Sequence, residues 1–186
     1  MKKEYTLTIF TENKIGLLHR ITVIFTRRHL NIDSLNTSES EVRGIYRFTI
    51  VVTTTEAMVQ TVTKQIEKQI GILKAFYHTE DELVYQEIAL YKVPTKAFAY
   101  GDDVESLIRK HNARILTIEP EYIIVEKTGH KTETQTLFRE LEQYGILQFA
   151  RSGRIALTKQ IREITSYLKD LEKLHDETEE EVLTYN

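Results

Sequence analysis

Six histidines are the residues of this 186-residue chain best suited to hold a metal, and their spacing argues against it. His19, His29, His78, His111, His130 and His175 include no i, i+3 or i, i+4 pair and no HExxH. There is no Cys, which removes thiolate nucleophiles, iron–sulfur ligation and Cys-containing zinc sites together. GxGxxG and the P-loop lysine motif are missing, and Ser152-Gly153 lacks the flanking glycine of a nucleophile elbow. No catalytic and no metal-ligating residue is assigned.

What the chain does offer is a place for a small zwitterion. A free amino acid presents a carboxylate and an ammonium on adjacent atoms, so its site needs converging donors and acceptors. Glu12-Asn13-Lys14-Ile15-Gly16 runs into an apolar helical pattern at Leu17. There Gly16 lets the backbone come close, and the amides of a helix mouth favour an anion. Asn13 and Asn31 each carry a donor and an acceptor, so either can address the carboxylate or the ammonium. A plainer reading stands beside this one: Asn13 caps the helix and Gly16 turns the chain.

The elements that must position these residues follow from periodicity. Residues 4 to 11 alternate around Tyr5, Leu7 and Ile9 as a half-buried strand, and Leu17, Leu18, Ile21, Ile24 and Phe25 mark a helix ending near His29. Asn31 to Thr37 and Arg47 to Thr53 read as strands around a Ser38 to Gly44 connection. Met58, Val62, Ile66 and Ile70 lie on a second helix, and Ile72 to His78 close the unit as a strand. The order then recurs: strand 84–93, helix 102–111, strands 113–118 and 122–127, helix 133–144, strand 146–151. Two β-α-β-β-α-β units of about 80 residues predict an α+β chain of two ferredoxin-like domains, 1–79 and 84–160. Residues 161–186 add an amphipathic helix with Ile161, Ile164, Leu168 and Leu171 on its seam, then an acidic tail.

Charge sharpens the picture. Residues 163 to 186 hold two Lys against eight acids, 2 − 8 = −6, and the whole chain carries −3, so the remainder is about +3. Lys2-Lys3 and Arg27-Arg28 are isolated pairs, too sparse for a nucleic-acid footprint. The start has no apolar leader and no run approaches a membrane span. A soluble cytoplasmic protein with no nucleic-acid and no membrane partner is expected.

Two ferredoxin-like alternatives match only part of their signature residues. Arg43-Gly44-Ile45-Tyr46-Arg47-Phe48-Thr49-Ile50 matches the first two letters of an RRM's RNP1, but Ile45, Arg47 and Ile50 stand where stacking rings are needed. The loop before the first helix shares with acylphosphatases one Gly and Arg20.

That loop carries a more extended likeness. Glu12-Asn13-Lys14-Ile15-Gly16-Leu17-Leu18-His19-Arg20, then Phe25, Arg28 and Asn31-Ile32-Asp33-Ser34-Leu35, resembles the ACT domain of the small regulatory subunit of acetolactate synthase. Its recurring pattern is E-N-x-x-G-x-L-x-R followed by F-x-x-R-x-x-N-I-x-S-L. Arg47 to Val52, Gln65-Ile66-x-Lys68, Ala150-Arg151-Ser152-Gly153 and Ala156-Leu157 are similar to further stretches of the family.

The resemblance implies a non-catalytic subunit that activates a separate catalytic large subunit and confers feedback inhibition by valine or another branched-chain amino acid. It implies no cofactor in this chain; thiamine diphosphate, magnesium and FAD belong to the partner. The ligand would lie in a homodimer of ACT domains, with Asn13, Ile15, Gly16 and Leu17 from one subunit and Asn31 and Ile32 from its neighbour. Ile15 and Leu17 depart from the usual Pro or Ser and Ala or Val, and the larger side chain at Leu17 is expected to narrow the pocket. A free-standing amino-acid-responsive regulator of transcription, for which no DNA-reading element is visible, is one rival, and a small ferredoxin-like acyl phosphatase is the second.

Overall fold

Lys3–Glu12 form β1, the strand on which the first unit is assembled. It pairs antiparallel with β3 (Ile45–Thr54) on one side and β4 (Ile72–His78) on the other, and β2 (Ser34–Glu39) extends the sheet beyond β3. Helices α1 (Leu17–Arg27) and α2 (Glu56–Glu67) fill the crossovers, and the strand order is β2-β3-β1-β4. The computed structural model describes residues 1–96, 103–160 and 169. It divides into two units, Met1–Val84 with the described residues from Ala156 onward, and Tyr85–Ile155.

One face of the first sheet presents Tyr5, Leu7 and Ile9 of β1, Phe48, Ile50 and Val52 of β3, and Ala75 of β4 to both helices. Ile21, Ile24 and Phe25 of α1 and Val59, Val62 and Ile66 of α2 complete that core. Burying each such side chain contributes on the order of 1.5–3 kcal/mol, which is what holds short helices in register.

The other face departs from the half-buried strand that alternation predicts. Every residue from Tyr5 to Thr11 is buried, because Phe10 joins Val42 and Ile45 in a second apolar cluster, with Leu73 and Phe76 packed against it. Threonine makes this compatible with the sequence pattern. Thr6, Thr8 and Thr49 look polar in a string of letters, yet their β-branched bodies fit a sheet buried on both sides.

Two boundaries also move. His29, at φ 53, turns the chain out of α1, and β2 starts only at Ser34, so Asn31 and Ile32 precede the strand rather than lie in it. Asp33 explains the delay: its N–H donates to the Val51 carbonyl at 2.9 Å, and its carboxylate accepts from Thr53 Oγ1 at 2.9 Å and Asn31 Nδ2 at 3.3 Å. α2 ends at Glu67, which leaves Ile70 off the helical stripe and 81% exposed in the turn before Gly71.

The second unit repeats the plan with β5 (Leu83–Pro94), α3 (Asp103–Lys110), β6 (Arg114–Ile118), β7 (Tyr122–Gly129), α4 (Lys131–Glu142) and β8 (Gln148–Arg151). Its strand order is β6-β7-β5-β8. Ile155–Thr158 form a further strand, β9, that is absent from the sequence reading. Here alternation holds. Tyr85, Glu87, Ala89, Tyr91 and Val93 are buried, whereas Val84, Gln86, Ile88 and Leu90 are exposed. Ala89, Tyr91 and Val93 pack with Val104, Leu107 and Ile108 of α3, Ile123 and Val125 of β7, and Leu137 and Leu141 of α4. The Tyr91 hydroxyl donates to the Thr134 carbonyl at 2.6 Å. The amphipathic seam through Ile161, Ile164, Leu168 and Leu171 and the acidic tail lie outside the described residues.

Candidate functional site

The loop between β1 and α1 is held from both sides by backbone hydrogen bonds. Glu12 N–H donates to the Gly71 carbonyl at 3.0 Å and Asn13 N–H to the Gly44 carbonyl at 3.1 Å, so the α2–β4 turn and the β2–β3 hairpin flank it. Gly16 then sits at the N-cap of α1 with φ 88, a left-handed conformation that costs a glycine little. Its carbonyl accepts from Arg20 N–H at 3.1 Å, and no side chain caps the helix.

These facts bear on one half of the plainer reading, the capping role of Asn13. Asn13 does not cap α1, because Gly16 occupies that position three residues later. Its side chain is exposed, as are Lys14, Ile15 and Gly16, so the loop offers an amide, an isoleucine and a helix mouth to solvent. Lys14 is ion-paired with Glu12 on the surface, a contact worth little by itself.

Leu17, by contrast, is buried. It is 2% exposed, and its methyls lie where a Cβ on Gly71 would meet them, at 3.1 and 3.3 Å. A Cβ on Gly16 would meet nothing within 4 Å, so the crowding lies behind the loop and the front is open. The larger side chain at Leu17 therefore fills space above Gly71.

Asn31 and Ile32 lie elsewhere. Asn13 bonds to Gly44, just before β3, whereas Asp33, beside Asn31 and Ile32, bonds to Val51 and Thr53 near its other end. Seven residues of strand separate Gly44 from Val51, about 23 Å at ~3.3 Å per residue. A single copy thus does not bring the two groups together. Ile32 is half-buried against the first core, and Asn31 is exposed.

Sequence reading missed the supports of the loop, Gly44, Gly71 and Ile70; the available signal was glycine punctuation before β3 and β4. It also gave Arg20 no role in holding the loop, whereas Arg20 Nη1 donates to the Ile70 carbonyl at 3.3 Å and braces α1 against the same turn. On β3, Ile45, Phe48 and Ile50 are buried and Arg47 donates to the Ala156 carbonyl, so this strand presents no row of free rings for bases. Burial of that guanidinium pulls its pKa below the ordinary arginine value.

Among the described residues no three His, Asp or Glu side chains are grouped to hold a metal, and no helix is long and apolar enough to cross a membrane.

Comparison with known proteins accounts for both units. Residues 7–74 match the AHAS small subunit-like ACT domain and residues 86–160 the small subunit of acetolactate synthase. The acetolactate synthase small subunit of Bacillus subtilis is 36% identical over 160 residues, 86% of this chain and 91% of that protein. This chain belongs to the acetolactate synthase small-subunit family. The small subunit of Mycobacterium bovis is 33% identical over 157 residues, covering 84% of this chain and 93% of that one. The crystal structure of the Thermotoga maritima small subunit superposes with a TM-score of 0.77 at 25% identity, over 86% of this chain and 99% of that chain. Membership makes this a regulatory rather than a catalytic component of acetolactate synthase, on the two-unit α+β frame described above.

Proposed function

We propose that this chain binds the thiamine-diphosphate-dependent catalytic subunit of acetolactate synthase, raises its activity, and carries feedback inhibition by valine or another branched-chain amino acid. Thiamine diphosphate, magnesium and FAD would all be held by that partner, and the complex would work in the cytoplasm. Family membership across both units carries the reading. The ligand would bind between two copies, Asn13, Ile15, Gly16 and the backbone at Leu17 coming from one and Asn31 with Ile32 from the other. In support, the loop is exposed and uncapped, and Asn31 lies at the far end of the same unit.

Sensing then becomes a coupling free energy between the shared site and the partner's active centre. The test is to purify both subunits and follow acetolactate formation from pyruvate with and without this chain and valine. Stimulation that valine reverses is expected. Turnover by this chain alone, or a catalytic subunit indifferent to it, would refute the proposal.

A further inference from the structure

Three contacts tie the β1–α1 loop to one small segment, Ile70-Gly71. Glu12 N–H donates to the Gly71 carbonyl at 3.0 Å where the loop begins. Arg20 Nη1 donates to the Ile70 carbonyl at 3.3 Å one helical turn beyond it. Between them the side chain of Leu17 seats over Gly71, its methyls 3.1 and 3.3 Å from where a Cβ would stand, so that an added methyl group would have to push Leu17 aside by a few tenths of an ångström. The loop's front, by contrast, is open.

From this we propose that Ile70 and Gly71 form a brace that sets the position of the amino-acid loop, with Gly71 as a positioning residue that acts through Leu17 and touches no ligand. The inference rests on the functional reading above, because it names the element that holds that same site. Two demands fall on Gly71 at once. Its φ of 88 is a conformation side chains rarely adopt, and its missing Cβ is what admits Leu17. A residue with bulk at 71 lifts Leu17, and Leu17 is the first residue of α1, so the helix mouth and Gly16 move with it. The size of residue 17 and the bareness of residue 71 are therefore coupled, and ligand affinity is set from behind the loop.

The experiment uses the full chain as Gly71→Ala, Leu17→Ala and the double variant. Hydrogen exchange is read at the amides of Glu12 and Arg20, bonded here to the carbonyls of Gly71 and Gly16. Valine affinity is read from ligand-induced melting shifts. Gly71→Ala should speed exchange at both amides and weaken valine on the order of tenfold. Adding Leu17→Ala should recover much of both losses, because it removes the contact while leaving the backbone strain in place. Unchanged exchange in Gly71→Ala, or equal losses in single and double variants, would overturn the brace. If the wild-type chain binds no branched-chain amino acid, the functional reading falls, and exchange alone still decides the brace. Should Gly71→Ala not fold, Arg20→Gln removes the bond to Ile70 and must show faster exchange at its own amide, or the proposal fails.

Discussion

Asn13 shows how much a single side chain's surroundings decide. With Gly16 at the helix cap, Asn13 is not needed to start α1, so Asn13→Ala should leave unliganded stability within about 0.5 kcal/mol. It should nevertheless weaken valine by roughly 10- to 150-fold, the loss of a hydrogen bond to a charged group worth about 1.5–3 kcal/mol. Titrating the melting shift with valine measures both numbers, and a large drop without ligand would return the residue to a structural role. Tyr91 is the opposite case, buried and spent on the fold. Burial pushes its phenol from 10.0 up to about 12, and its hydroxyl donates to the Thr134 carbonyl at 2.6 Å. Because the folded state holds the proton more tightly, its contribution is complete below pH 10 and is lost as pH rises to about 12. Tyr91→Phe should cost about 0.5–1.5 kcal/mol at neutral pH, the net worth of one hydrogen bond, because the carbonyl sits within α4 and keeps its helical partner. Urea unfolding in the variant should show a smaller tyrosine-linked fall in stability above pH 10 than the wild type, because Tyr5, whose pKa is also raised, remains.

At the level of elements, β1 supplies the sharpest test. Alternation places Phe10 on a wet face, whereas the structure buries it completely with Val42 and Ile45. Phe10→Ala should therefore cost about 3–5 kcal/mol. A loss below about 0.5 kcal/mol, the usual surface value, would mean the second face is open. The contrast with β5 explains what was legible in advance. On β5 burial alternates, yet Val84, Ile88 and Leu90 point outward and Glu87 inward, so there the residue types give the strand and not its buried face. On β1 the outward positions are Thr6 and Thr8 beside Phe10, and threonine satisfies a polar pattern and a buried one alike. The order of strands and helices was readable because every helix shows a 3.6-residue stripe. The start of β2 was not, since Asp33 sets it through bonds to Val51 and Thr53, residues distant in sequence. The same holds for the site. Asn13 and Gly16 stood out by type, but the supports of their loop are carbonyls of Gly44, Ile70 and Gly71, and backbone acceptors leave no mark in a string of side chains.

For the whole molecule, linkage makes a quantitative demand. Whatever factor valine imposes on the affinity of this chain for its catalytic partner, the partner must impose on the affinity for valine. Calorimetric titration of valine into the chain alone and into the complex gives one side of that cycle, and subunit titration with and without valine gives the other. Unequal factors would mean a missing state, such as a further assembly step. The separation of Asn13 from Asn31 along β3 has a consequence for inheritance as well as for binding. If each site takes one residue from each copy, an Asn13→Ala chain and an Asn31→Ala chain are both insensitive alone, yet their mixed dimer contains one wholly intact site and one doubly damaged one. Equal co-expression should restore about a quarter of the sites, so two feedback-resistant alleles would complement each other and restore partial sensitivity in the same cell.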